Sequence, residues 1–130
     1  MIDVRDESSQ ATLDPELKEV VEDAAETKRG FVYCALCSHV VSHIDQRTEV
    51  NGSHDHYFVN PHGLEFHVGC YGEALGCAIS GQPTAADTWF PGFHWHIATC
   101  EECNIHLGWL FANAEASSFY GLILDRIQTD

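Results

Sequence analysis

The chain has 130 residues, 45% of them apolar and 20% charged, which is one domain's worth of ordinary globular composition. Twenty Asp and Glu against six Lys and Arg give a net charge of −14; such a surface repels phosphate backbones and anionic membranes, so nucleic acid and membrane surfaces are excluded as partners. No apolar run approaches the ~18 residues of a membrane span, and the acidic first residues lack the apolar stretch of a secretory signal, which predicts a cytoplasmic protein with reduced thiols.

Residues 1–29 read as an acidic tail followed by a short helix, and residues 30–130 as a β domain. Asp14 is a good N-cap and Pro15 suits the first helical position. Leu17, Val20, Val21, Ala24 and Ala25 follow helical spacing and give one narrow apolar stripe. Lys28 and Arg29 have the right sign for the helix end, and Gly30 is a stop. From Phe31 onward the period shortens. Strands are predicted at 31–33, 39–44, 56–59, 64–68, 93–98, 105–111 and 119–124. Asn51-Gly52 and Asn60-Pro61-His62-Gly63 mark turns. The Gly- and Ala-rich residues 69–86 are assigned a short helix or an irregular loop. The sum is a mainly β, antiparallel domain of short strands.

Four of the six cysteines form two knuckles, Cys34-Ala35-Leu36-Cys37 and Cys100-Glu101-Glu102-Cys103. Together they can supply four thiolates to a tetrahedral zinc. Redox dithiols and disulfides are the competing readings, and a reducing compartment favours the metal. Cys34, Cys37, Cys100 and Cys103 are therefore assigned to a structural Zn²⁺ that staples distant parts of the chain. Cys70 and Cys77 fall outside this pattern and read as small buried apolar residues.

All three tryptophans fall between positions 89 and 109. Trp89 and Trp95 flank a Pro91-Gly92 turn and can face each other across it. Trp109 lies just past the second knuckle. Three indoles from neighbouring segments can wall a narrow pocket for a flat or compact ligand; they can equally be core, and spacing alone does not decide. Nine histidines include the pairs His54/His56 and His94/His96, but a catalytic zinc needs about three protein ligands and an open position. The pairs therefore read as solvated or hydrogen-bonded strand histidines.

Taken in order, Cys-x-x-Cys, Asn60-Pro61-His62-Gly63, Trp89-Phe90-Pro91-Gly92-Phe93-x-Trp95, Cys-x-x-Cys and His106-Leu107-Gly108-Trp109-x-Phe111 resemble the CULT domain. This is the thalidomide-binding domain of cereblon, also found as free-standing single-domain proteins. The resemblance runs from about Gly30 to about Arg126. It implies two antiparallel sheets packed at a steep, tent-like angle, with a structural zinc near their junction held by the same four cysteines. It implies a cage of Trp89, Trp95 and Trp109 with Phe111 as its floor, and Asn60 and Pro61 at its rim. The loop Asp87-Thr88-Trp89 would hydrogen-bond the ligand through its backbone. Family members bind cyclic imides such as the glutarimide of thalidomide, and some pyrimidine nucleosides including uridine. The implied function is a non-enzymatic small-molecule binding module. An imide presents acceptor, donor and acceptor along one edge. The carbonyl of residue 87 can take its N–H, the N–H of Trp89 can serve one carbonyl, and the apolar remainder stacks on indole.

One position departs from the family. Cereblon has a histidine where this chain has Asp87, and an ionised carboxylate only accepts hydrogen bonds. A carboxylate beside an aromatic cage also suits a cation, so a reader of methylated ammonium groups is the alternative function. A third reading is a redox enzyme like the B-type methionine sulfoxide reductases, which share a related zinc-pinned β fold with two knuckles. Those enzymes need a late nucleophilic cysteine, and none follows Cys103; Cys70 or Cys77 would have to substitute, and neither lies by a recognisable base. The chain has no room for cereblon's Lon-like domain or adaptor-binding helices, so the domain is expected to stand alone, with no protein partner assigned.

Overall fold

A computed structural model describes residues 29–130; the helix predicted from Asp14 lies outside them. The described residues form nine strands: β1 Phe31–Cys34, β2 Val40–His43, β3 Asp55–Val59, β4 Glu65–Tyr71, β5 Cys77–Thr84, β6 His94–Cys100, β7 His106–Ala112, β8 Ser118–Ile123 and β9 Ile127–Thr129. Two sheets result, one of three strands in the order β2-β1-β9 and one of six in the order β3-β4-β8-β7-β6-β5. Every pairing is antiparallel.

Turn chemistry sets the hairpins. Asn51 and Gly52 take φ of 54° and 86°, and Val50 and Ser53 exchange backbone hydrogen bonds around them. Only residues that tolerate the left-handed region close so tight a loop. Asn60 holds the β3–β4 turn: its Oδ1 accepts from the N–H of His62 and of Leu64, both at 2.9 Å. Pro91 and Gly92, the latter at φ 91°, suit the central positions of a type II turn closed by the Phe93 N–H on the Phe90 carbonyl at 2.9 Å.

The core has two parts. One lies where the sheets meet and joins Val32, Val41, Tyr71, Leu107 and Leu122 to Cys34 and Cys100. The other lies under the large sheet and is rich in rings: Phe90, Trp109, Phe111 and Phe119 with Val68, Cys70 and Ile123. Each buried apolar side chain contributes roughly 1.5–3 kcal/mol, whereas a solvent-exposed pair such as His67–Asp55 is screened by water and salt and adds little. These clusters therefore hold the fold. Gly76 ties them together. Its N–H donates to the Val41 carbonyl of β2, and its own carbonyl accepts from Glu101 in the second knuckle. A Cβ there would overlap the Val40 backbone, so the sheets approach this closely only at a glycine.

The structure differs from the sequence reading at two places. Residues 69–86 hold the end of β4, an irregular loop at 72–76 and all of β5, rather than a helix or one continuous loop. β5 is an edge strand, exposed along most of its length, so it lacks the alternation that marks a half-buried strand. It also contains Gly81 and Pro83, and its register with β6 shifts between Ser80 and Thr84, as expected where proline sits in a strand. The second difference is β9, three residues long, which completes the small sheet by pairing with β1.

Candidate functional site

The two knuckles share one conformation. In the first, the Cys34 N–H donates to the His39 carbonyl and the Ser38 N–H to the Cys34 carbonyl, both at 2.8 Å; in the second, Cys100 pairs with Ile105 and Asn104 with Cys100, both at 2.9 Å. Ser38 and Asn104, the residues after each second cysteine, are left-handed at φ 67° and 70°. The first knuckle joins β1 to β2 in the small sheet, and the second joins β6 to β7 in the large one. They meet: Cys34 Sγ lies 3.6 Å from Cys103 Sγ, and Cys37 Sγ lies 3.6 Å from Cys100 Sγ. All four sulfurs fall within 4.8 Å of one another. Metal–sulfur bonds of about 2.3 Å in a tetrahedron put the sulfurs about 3.8 Å apart, so this cluster could hold a metal ion.

Its electrostatics agree. Burial disfavours the Cys34 thiolate, yet backbone N–H groups of Cys37 and Leu36 aimed at it outweigh that and bring its pKa down. At Cys37 the His39 N–H favours the thiolate, but desolvation and the neighbouring thiols Cys100, Cys103 and Cys34 push it up to about 12. Four sulfurs this close do not ionise together unless a cation sits among them. Among the described residues the paired histidines join no such cluster.

The second feature is a cavity of about 480 Å³. Trp89, Trp95 and Trp109 all line it, with Phe111, Asp87, Asn60 and Pro61. Of the residues proposed from sequence, only Thr88 is not part of the lining; its Oγ1 bonds within its own loop, to the Phe90 backbone. The loop is anchored by Phe90, 1% exposed, whose ring meets Phe58, Phe111 and Phe119 at 4.8 to 5.3 Å. That anchor sets Trp89 against Trp109, centroids 4.8 Å apart and planes at 79°. Trp95 is fixed separately, its Nε1 donating to the Ala86 carbonyl at 2.9 Å.

Strand register explains the rest. Trp95 pairs with Phe111 and Ile97 with Trp109 across β6 and β7, so all four side chains share a face. Gly121 of β8 pairs with Trp109; a Cβ there would come within 2.8 Å of Val68 and 3.1 Å of Phe111, so glycine leaves room for the floor. Opposite Ala98 and Thr99 the register skips Leu107. This bulge restores His106 to the face of Trp109, where their rings meet edge-on at 4.9 Å.

Curated relatives place this arrangement. The chain is 35% identical over 75 residues to cereblon of Xenopus tropicalis, covering 55% of this chain and 17% of that protein. It is 36% identical over 69 residues to cereblon of Gallus gallus, covering 50% and 16%. With cereblon of Drosophila erecta it shares 30% identity over 104 residues, covering 74% and 18%. The chain carries a cereblon-type, or CULT, domain. It spans less than a fifth of the length of these relatives. No protein-family model matches it.

The CULT domain's cavity also has walls that the motifs did not reveal. Phe58 is outside the lining but supports it, stacking on Trp89 with centroids 4.6 Å apart and planes within 7°. Phe66 meets Trp109 edge-on at 5.3 Å and lines the cavity. Both sit on strands read correctly from sequence, at positions where a phenylalanine looks like ordinary core. His62, Leu64, Ile97, His106 and Arg126 complete the lining. Arg126 had no local signal at all, because a turn between β8 and β9 brings it there. Asp87 is exposed at the cavity, in the left-handed region at φ 54°. Among the described residues, neither its carbonyl nor the Trp89 N–H makes a hydrogen bond.

Cys70 and Cys77 lie away from this lining. Burial, with a smaller contribution from Asp55, pushes the Cys70 thiol up to about 11. Burial likewise pushes Cys77 up to about 12, with the nearby Cys100, Glu101 and Cys34 adding to it. Both behave as packing residues, and Cys70 is fully buried. No helix of the described residues is long and apolar enough to cross a membrane.

Proposed function

We propose that this domain is a binding module for a small cyclic imide, glutarimide-like, or a pyrimidine-type ring, held among Trp89, Trp95 and Trp109, and that the metal of the cysteine cluster is a structural zinc. The observation that carries the ligand reading is the pairing of three indoles with an unspent backbone edge in one cavity. The Asp87 carbonyl and Trp89 N–H form an acceptor and a donor on adjacent lining residues. An imide N–H and one imide carbonyl complement them, and the ring's apolar body replaces water on the indole faces. Asn60 spends its Oδ1 on its own turn, which leaves its side-chain N–H₂ as the group offered to a ligand at the rim. For zinc, four thiolates in a closed tetrahedral set are the donor chemistry of a structural site.

Binding is the whole of the mechanism. The knuckles fix the β6–β7 hairpin, Phe90 and the Ala86–Trp95 hydrogen bond fix the loop, and the cavity is preorganised, which keeps the cost of ordering low. A methylammonium guest would use the same rings with Asp87, but half-buried Arg126 lines the same cavity and repels a cation.

Tryptophan fluorescence tests the reading. Glutarimide should quench it saturably, and N-methylglutarimide, which lacks the N–H, should bind more weakly by about 1–3 kcal/mol. Equal response to both compounds, or a response to trimethyl-lysine alone, would refute the imide reading.

A further inference from the structure

Residues 29–130 contain eleven Asp and Glu against three arginines and no lysine. Yet the ion pairs among the described residues involve His39, His43 and His67, and none involves Arg126. Arg126 instead lines the cavity. Its Nη1 donates to the His106 carbonyl at 2.8 Å, and its own carbonyl accepts from the Ala35 N–H of the first knuckle at 3.0 Å. The residue is thus held at both ends. A guanidinium has five N–H donors, and among the described residues only Nη1 is engaged.

The neighbours favour this charge acting on a ligand. His106 stands edge-on to Trp109 at 4.9 Å, which puts Arg126 one residue beyond an indole wall. The His106 Nε2 pairs with the Gly108 carbonyl at 2.9 Å. Burial keeps its ring below the usual histidine range, against that bond and with help from the Arg126 charge, so it offers no second cation. Asp87 lines the same cavity but is exposed, where water and salt screen it more than half-buried Arg126.

We propose that the cavity selects a cyclic imide that carries an anionic group, and that Arg126 reads this group. The inference rests on the imide reading above and adds the ligand's charge to it. A carboxylate on the ring and a phosphate on an attached sugar offer the same chemistry, two oxygens matched to parallel guanidinium N–H groups.

Calorimetric titration of the metal-loaded protein with two matched pairs separates the sources. Uracil and orotate differ by one ring carboxylate; uridine and uridine 5′-monophosphate differ by one phosphate. The charged member of at least one pair should bind about tenfold more tightly. Arg126→Gln, which keeps a donor for the His106 carbonyl, should bring that ratio close to one. Should the variant fail to fold, the wild-type ratio read against salt decides: it should shrink as ionic strength rises. Equal affinity within both pairs overturns the proposal and leaves the imide reading standing. Failure of all four compounds and of glutarimide overturns both. A ratio that survives Arg126→Gln, or a variant that loses its metal while keeping the ratio, assigns Arg126 to the cysteine cluster and also overturns the proposal.

Discussion

Trp95 Nε1 donates a 2.9 Å hydrogen bond to the carbonyl of Ala86, so one wall of the cavity is fastened to the loop that carries another. The bond spans the turn at Pro91-Gly92 and fixes the separation of Trp95 and Trp89. Trp95→Phe keeps an aromatic wall and removes the bond. Glutarimide affinity should fall about tenfold, matching a hydrogen bond of roughly 1–1.5 kcal/mol, while the melting temperature changes little. An unaltered affinity would show that the bond does not position the loop.

The cysteine cluster brings a knuckle of each sheet together. Chelation should therefore unfold the domain, because metal binding at such a site is coupled to folding by about 10 kcal/mol. Native mass spectrometry should find one zinc per chain, and Cys103→Ser should fail to retain it. A melting curve indifferent to chelator would contradict the structural role.

Gly108 of β7 packs so tightly on β8 that an added Cβ would overlap the carbonyl of Gly121. Backbone cannot swing away as a side chain can. Gly108→Ala should cost about 3 kcal/mol in urea unfolding, at the upper end for overpacking. It should also disturb the cavity, since Trp109 is the next residue. A variant as stable as the wild type would show that the strands separate more readily than this packing implies.

His106 makes stability depend on pH. Its pKa in the fold lies below the ordinary 6.5, chiefly through burial, with the Gly108 hydrogen bond opposing and the Arg126 charge adding. The unfolded chain therefore takes up this proton first as pH falls. His106 contributes stability above 6.5 that is lost as pH drops from there towards the folded pKa. Comparing urea midpoints at about pH 7.5 and about pH 5.5, His106→Gln should show a shallower decline than the wild type. Parallel declines would exclude His106 as a source.

Much of this was legible in the chain. The knuckles, the turn at Asn60-Pro61-His62-Gly63 and the three indoles are local patterns, and local patterns survive in sequence. Seven strands were readable because each is a short run rich in β-branched and aromatic residues. β5 was not, since an exposed edge strand with glycine and proline carries no alternation. The cavity's less obvious walls, Phe66, His106 and above all Arg126, depend on strand order and on the bulge at Leu107. Those are long-range facts. Trp109 shows the overlap of roles: at 8% exposure it belongs to the aromatic core as well as to the cavity wall. Core and cavity wall, alternatives in the sequence, are here the same residue.

The chain's three tryptophans give three indole N–H signals in a ¹⁵N-correlated NMR spectrum, one for each proposed wall. Titrating the metal-loaded domain with glutarimide should move all three, together with the backbone amide of Trp89, and N-methylglutarimide should move them only at higher concentration. Signals that stay fixed throughout, or shifts confined to residues outside the cavity, would contradict a ligand held among Trp89, Trp95 and Trp109.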